Sequence, residues 1–322
     1  MSMHVLVTGA NGFVGRALCA RLVAEGELHG RGIDRLTALD LDFGEAPSAQ
    51  GVLRRHVGDL ADPAWLDGVL AGSPVDVVFH LASIPGGSAE SNYALARRVN
   101  LDATIDLLER GQAQVAVGGP APVFVFASSI AVFGAMPSLV TDDTLPRPVM
   151  TYGAQKLIGE ILVQDFSRRG WACGRSLRIP GVLARPPART GQLSAFLSDI
   201  IRELVAGRPF TCPMSAEATT WASSLPNVVG NLMHAAAPVL PGLEQQRTFT
   251  PPTSRFSMSE IVAAIGEVRG QDLRRLVTYA PDARIEALFG SFGELRTEAA
   301  EAAGFVRDAS LPALVRASLD FG

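Results

Sequence analysis

The pattern of apolar runs predicts an α/β fold: an open, doubly wound parallel sheet followed by a smaller, mostly helical C-terminal domain. Three features carry this expectation. Short apolar runs of strand length alternate six times with helix-like segments between residues 4 and 179, as expected for parallel strands buried on both faces. The first run ends in a turn holding Gly9, Gly12 and Gly15 and leads directly into a helix. Beyond Pro180 the alternation stops, prolines cluster at 185–187, and helical patterns dominate.

Residues 4–8 of MHVLVTGANGFVG form the first strand. Glycines at the following turn let the backbone approach a nucleotide pyrophosphate, whose charge the amides and dipole of a helix start favour. Their spacing is G-x-x-G-x-x-G, not the common G-x-G-x-x-G. A ligand-free corner uses the same residues, but a place at the head of alternating strands and helices favours a cofactor turn. Val14, Leu18, Leu22 and Val23 mark one face of the first helix, which Gly26 stops.

Residues 35–40 (RLTALD) read as the second strand, after an irregular segment at 30–34. Asp40 ends it, and an acid there accepts hydrogen bonds from the adenosine ribose while repelling the extra phosphate of NADP. NAD is therefore the expected cofactor, with a solvated loop acid, Asp42 included, as the plain alternative. Residues 51–57 form a third strand and 63–70 a short helix; Asp59 between them either meets the adenine amino group or caps that helix. Residues 76–81 (DVVFHL) are the fourth strand, and its end, His80-Leu81-Ala82-Ser83, lies at the carboxyl edge where open α/β sheets bind ligands.

A long helix over 89–110 carries Asn100, the fifth strand at 123–127 (VFVFA) ends in Ser128-Ser129, and a second long helix over 151–169 precedes the sixth strand at 173–179. Past Pro180, a helix covers 193–206, and 228–236 and 247–250 return to the first domain. Ser257 and Glu260 form a capping box for a helix reaching Val268. Segments 281–289, 297–303 and 311–319 complete the second domain. The division is 1–180, with returning segments near 228–250, and 181–322.

A net charge of -4 provides no basic field for nucleic acid or an anionic membrane, so a small molecule is the expected partner. Three scattered cysteines encode neither a disulfide framework nor a zinc pair, and the five histidines lack ligand spacing, so no metal is expected. An uncharged run over 111–141 is broken by Gly118, Gly119, Pro120 and Pro122, which argues against a membrane helix of about 20 residues. The first strand begins at His4 with no basic leader before it, and a cytoplasmic location is expected.

Tyr152 stands four residues before Lys156 in TYGAQK, so both share one helix face. Moving a phenol from about 10 to about 7 costs about 4 kcal/mol. An ammonium about 4 Å away supplies about 4 kcal/mol at an effective dielectric of 20. On its own Y-x-x-x-K arises by chance on helices. Here the glycine turn, the acid-ended strand, the serine pair and Y-x-x-x-K follow one another in the order of the short-chain dehydrogenase/reductase superfamily. The chain resembles that superfamily over essentially its whole length. The glycine spacing and the second domain resemble its extended branch, the NAD-dependent epimerase/dehydratase family, which has a Rossmann-type sheet.

The resemblance implies a catalytic set of Ser129, Tyr152 and Lys156. Ser129 lies in SSIAVFG, where Phe133 replaces the tyrosine of the family's S-x-x-V-Y-G. By the same resemblance Ser129 bonds the reacting oxygen, Tyr152 exchanges its proton, and Lys156 also holds the nicotinamide ribose. NAD would meet Gly9, Asn11, Gly12, Phe13, Val14, Gly15, Asp40, Asp59, Leu60, Leu81, Ala82, Asn100, Tyr152, Lys156 and Pro180. Substrate would meet Ser129 and Tyr152. Apart from the resemblance, an acid's carboxylate needs a charged partner, for which Arg185, with Arg189 and Arg202, is a candidate just beyond the sixth strand. An exposed arginine without a ligand is the plain alternative for each, and Ser83 is the candidate for a substrate hydroxyl.

Two departures from the family separate activities. Dehydratases of the family carry Asp-Glu after the catalytic threonine, where Ile130-Ala131 stands here, and epimerases carry a nucleotide-gripping arginine where 219–229 reads TTWASSLPNVV. The segments SAESNYALARRVNLDAT, TYGAQKLIGEILVQDFSRRG, GRSLRIP and SAFLSDIIRELVAGRPFTCPMS are similar to sugar-acid dehydrogenases of this branch, which oxidise the 2-hydroxyl of a four-carbon acid with NAD. The expectation is an NAD-dependent dehydrogenase of a small sugar acid, and the runner-up is a nucleotide-sugar epimerase. A catalytically silent NAD-binding regulator would show a broken Ser, Tyr, Lys set, and this set is intact. The resemblance also implies a homodimer paired through the two long helices.

Overall fold

The computed structural model describes residues 3–183 and 194–319. Its elements are β1 (Met3–Thr8), α1 (Phe13–Glu25), β2 (Arg31–Asp40), β3 (Leu53–Val57), α2 (Pro63–Leu70), β4 (Val77–His80), α3 (Gly86–Ser91), α4 (Tyr93–Arg97), α5 (Ala103–Ala116), β5 (Val123–Ser129), α6 (Thr151–Arg168) and β6 (Cys173–Ile179). There follow β7 (Gly181–Leu183), α7 (Phe196–Val205), β8 (Thr219–Ser224), α8 (Leu225–Ala235), β9 (Thr248–Phe249), β10 (Ser254–Ser257) and α9 (Met258–Arg269). The expected α/β class is the observed one.

The main sheet runs β9-β6-β5-β4-β1-β2-β3, every neighbour parallel, with Ala49–Gln50 antiparallel beside β3. Strand order therefore reverses between β1 and β4, and the crevice above that switch point is where such sheets take ligands. On one face Leu18 and Leu22 of α1 pack with Val229 and Leu232 of α8. On the other, Leu66 of α2, Leu107 and Leu108 of α5, and Val163 and Phe166 of α6 cover Phe124 and Phe126. Segment 228–236 thus packs against the first helix, and β9 adds to the sheet edge beside β6.

Beyond β6 a second core gathers Phe196, Ile200 and Ile201 of α7, Ile261 and Ile265 of α9, and Leu314 and Val315 of the final helix Leu311–Leu319. Besides these helices it holds a three-stranded sheet, β7-β8-β10. Ser257 caps α9 in the expected capping box with Glu260. A fourth cluster, Val132, Phe133, Val140, Trp221 and Phe292, joins the end of β5 to β8.

Three local expectations change. Of the segment read as irregular at 30–34, residues 31–34 are strand: Glu27–Leu28 folds back on Arg31–Gly32 through His29 and Gly30, both at positive φ, the geometry of a tight hairpin turn. The helix expected over 89–110 is broken. Asn92 ends α3 and caps α4 by accepting from the Leu95 amide, and a π-helical turn, Arg98–Asp102, precedes α5. Finally, Asp62 rather than Asp59 caps α2, accepting from the amides of Ala64 and Trp65. Among the described residues no helix is long and apolar enough to cross a membrane.

Candidate active site

The glycine turn is held by contacts that leave no room for side chains. A Cβ on Gly15 would lie 2.1 Å from the Gly9 carbonyl oxygen, and one on Gly9, whose φ is +66°, would lie 2.8 Å from the Ala82 amide nitrogen. The start of α1 is thereby pressed against the end of β1 and the residues after β4. Gly12 is the N-cap and no side chain caps the helix, so the positive end of α1 faces the crevice without a side chain of its own across it. That arrangement fits a pyrophosphate.

Asp40, the last residue of β2, is tied to the same turn. Its Oδ2 accepts from the Asn11 amide at 2.8 Å and its Oδ1 from the Leu41 amide at 2.8 Å, while the Asn11 side chain donates to the Asp42 carbonyl at 2.6 Å. A carboxylate has about four acceptor sites, so each oxygen keeps capacity for a ribose hydroxyl. The residues present therefore fit NAD. Asp59 accepts from the Ala61 amide and pairs with Arg98 at 3.0 Å, and Leu60 beside it is buried.

At the end of β4, His80 is fully buried between two threonines: Nδ1 bonds Thr8 Oγ1 at 2.7 Å and Nε2 bonds Thr104 Oγ1 at 2.8 Å. Burial, with a smaller push from Lys156, lowers its pKa to about 3, so the ring is neutral. Thr8 Oγ1 also accepts from the Ala82 amide at 3.2 Å, which fixes the Leu81-Ala82-Ser83 segment relative to the glycine turn. Asn100 is buried in the π-helical turn; it accepts from the Ile84 amide at 2.7 Å and donates to the Ile84 carbonyl and to Gln155 Oε1. Its side chain thus holds the loop that follows Ser83.

The catalytic candidates meet where β5 ends and α6 begins. Ser129 Oγ accepts from the Ala131 amide at 3.2 Å, closing a 3-10 turn over Ile130–Phe133. A Cβ on Gly153 would lie 2.3 Å from the Ala131 carbonyl oxygen, and this close approach sets Tyr152 beside the serine turn. One helical turn further, Lys156 is 1% exposed, with Nζ 4.8 Å from the Phe126 ring centroid and 5.7 Å from that of Tyr152. Burial pushes its pKa down to about 7 and the charge of Glu160 pulls it up. The lysine is therefore not the fully charged partner that the simple Coulomb comparison assumed.

Three further residues escape the motif. Glu160 and Arg178 form a buried ion pair, joined by Arg178 Nε to Glu160 Oε1 at 3.0 Å and Nη2 to Oε2 at 2.8 Å, and Ser128 Oγ donates to Oε1 at 2.5 Å. A sequence signal exists: Arg175 and Arg178 sit in a strand buried within the sheet, where a charge requires a partner. Of the carboxylate candidates, Arg185 and Arg189 lie outside the described residues, and Arg202 pairs with Asp199 on its own helix.

A glycine turn at the switch point, beside a serine, a tyrosine and a buried lysine, fits a dinucleotide-dependent oxidoreductase. Over residues 5–221 the chain matches the NAD dependent epimerase/dehydratase family. It is 36% identical to the D-erythronate dehydrogenase of Cupriavidus necator, over 99% of this chain and 98% of that one. To the Haemophilus influenzae protein of the same name it is 31% identical over 99% of each. Among solved structures, the nucleoside-diphosphate-sugar epimerase from Agrobacterium tumefaciens superposes with a TM-score of 0.90 at 30% identity, covering 99% of this chain and 94% of that one. The chain belongs to the NAD dependent epimerase/dehydratase family. It is an NAD-dependent oxidoreductase, and NAD is its cofactor.

Proposed function

We propose that the chain oxidises D-erythronate at its 2-hydroxyl to the 2-oxo acid. The observation that carries this reading is the end-to-end similarity to two proteins named D-erythronate dehydrogenase. Support comes from β8, at the place where the family's epimerases hold a nucleotide-gripping arginine. Its Trp221 is buried and donates from Nε1 to the Gly293 carbonyl at 2.9 Å, so this stretch contributes to packing. The likeness to an epimerase structure favours nucleotide-sugar epimerisation as the second reading.

In the proposed reaction the Ser129 hydroxyl donates to the reacting oxygen and Tyr152, as phenolate, takes the hydroxyl proton. Bound NAD would supply the acceptor for the hydride that leaves carbon 2. Lys156 supplies the positive charge that lets the phenol ionise and also holds the nicotinamide ribose, with Pro180 beside the ring. Gly9, Gly12 and Gly15, with Asn11, Phe13 and Val14, cradle the pyrophosphate; Asp40 takes the adenosine ribose, and Asp59 and Leu60 border the adenine. Leu81, Ala82 and the Asn100-supported loop line the cofactor, and Ser83 faces the substrate. Arg185 or Arg189 takes the carboxylate, whose recognition in a closed site calls for a charge-assisted bond.

By this reading 1–180 with segments near 228–250 is the cofactor domain and 181–322 the substrate domain. The protein works in the cytoplasm as a homodimer: Ile158 and Ile161 on α6 are 43% and 58% exposed, and Tyr93 and Leu95 on α4 add further exposed apolar surface. The test compares D-erythronate, its uncharged amide and UDP-glucose. Turnover of the acid alone is expected; equal turnover of acid and amide, or turnover of UDP-glucose alone, contradicts the proposal.

A further inference from the structure

Glu160 and Arg178 are 4% and 9% exposed. A buried pair of this kind is often matched or exceeded in stability by apolar residues of similar volume, so stability alone does not account for it. Its surroundings supply another role. Ser128, which donates to Glu160, directly precedes Ser129, and in the sheet Ser128 lies opposite Arg178. The guanidinium lies 4.9 Å from the Phe133 ring centroid, at the end of the 3-10 turn that Ser129 opens. Glu160 follows Lys156 by one helical turn and shares its face. One carboxylate therefore connects the serine strand, the lysine helix and the strand that leads to Pro180.

We infer that the Glu160–Arg178 pair is a positioning unit for the Tyr152–Lys156 couple, with the Glu160 carboxylate favouring the charged lysine that the phenolate needs. This inference rests on the reading of Tyr152 and Lys156 given above. The groups around Lys156 are Tyr152 and Glu160 on α6, the neutral His80 from β4, and Arg178 from β6, which reaches it through Glu160; β5 brings Phe126 and Ser128, and the π-helical turn Asn100, none of them charged. Along the helix Glu160 stands about 6 Å from Lys156 and about 12 Å from Tyr152. Its attraction for the ammonium therefore outweighs its repulsion of the phenolate. Losing that charge makes the phenolate–ammonium state less favourable relative to the neutral couple, and the phenol ionises at higher pH.

The test needs no substrate, so its failure is separate from a failure of the erythronate proposal. The chain has three tyrosines, and subtracting the ultraviolet pH titration of Tyr152→Phe from that of the parent isolates the Tyr152 phenolate. The same subtraction applies in each variant background. Glu160→Gln should move the Tyr152 midpoint up by about one pH unit, and Glu160→Asp, which keeps the charge, should hold it near the parent value. If Glu160→Gln does not fold, the double variant Glu160→Gln/Arg178→Gln removes both charges without stranding either, and a smaller upward move is expected. A midpoint equal to the parent's in either folded glutamine variant, or an equal shift in Glu160→Asp, overturns the inference.

Discussion

Replacing Lys156 by methionine should make the cofactor-free protein more stable in acid while abolishing turnover. The lysine is 1% exposed, and its pKa falls from 10.5 to about 7, chiefly through burial. A basic group whose folded pKa lies below its unfolded one penalises folding most below the folded value, here about 7. That penalty fades as pH rises towards 10.5. Its full extent corresponds to about 5 kcal/mol at 1.36 kcal/mol per unit, and about 1 kcal/mol remains at pH ~9.5. Methionine keeps much of the length, carries no charge, and packs well against an aromatic ring, here that of Phe126. Urea unfolding of parent and variant at pH ~6 and pH ~9.5 measures the difference. The gain should be largest at the lower pH and reduced to about 1 kcal/mol at the higher. A variant no more stable than the parent at pH ~6, or a gain independent of pH, would refute the view that Lys156 is held against the cost of burial.

Three other outcomes follow from the site. Asp40→Ala should weaken NAD binding and relax discrimination against NADP, because it removes both the ribose acceptor and the repulsion of a 2′-phosphate; equal use of the two cofactors by the parent contradicts the assignment. Tyr152→Phe should lower turnover roughly 100-fold or more with NAD binding retained, and ordinary turnover would reduce Tyr152 to a structural role. For assembly, light scattering should give a dimer for the parent and a monomer for Ile158→Asp/Ile161→Asp; a monomeric parent at micromolar concentration rules out the homodimer.

Strands β1, β4 and β5 were readable because each is a short, largely apolar run, and Asp40 because it closes a strand-like segment after a glycine turn. Tyr152 and Lys156 were readable through helical spacing taken together with the glycine turn, the acid-ended strand and the serine pair that precede them in order. Other features depend on contacts distant in sequence. The break at Asn92 and the π-helical turn at Asn100 lie in a stretch whose periodicity suits one continuous helix. The turn is sited where Asn100 reaches Ile84 and Gln155. The hairpin at His29-Gly30 carries no strong turn signal, because His29 is a non-glycine residue at positive φ. Strand β8 begins with Thr219, whose hydroxyl donates to the Phe292 carbonyl, a partner supplied by the far end of the chain. Glu160 is visible as the residue one turn after Lys156, but its pairing with Arg178 requires that α6 lie across β5 and β6.

The most direct test of the central claim uses D-erythronate carrying deuterium at carbon 2, incubated with the protein and NAD and followed by mass spectrometry of the cofactor and the acid. Deuterium should appear in the reduced cofactor in step with formation of the 2-oxo acid, and Tyr152→Phe should suppress both together. Absence of reduced cofactor with D-erythronate, or deuterium retained in the recovered acid while UDP-glucose is epimerised, would contradict the account.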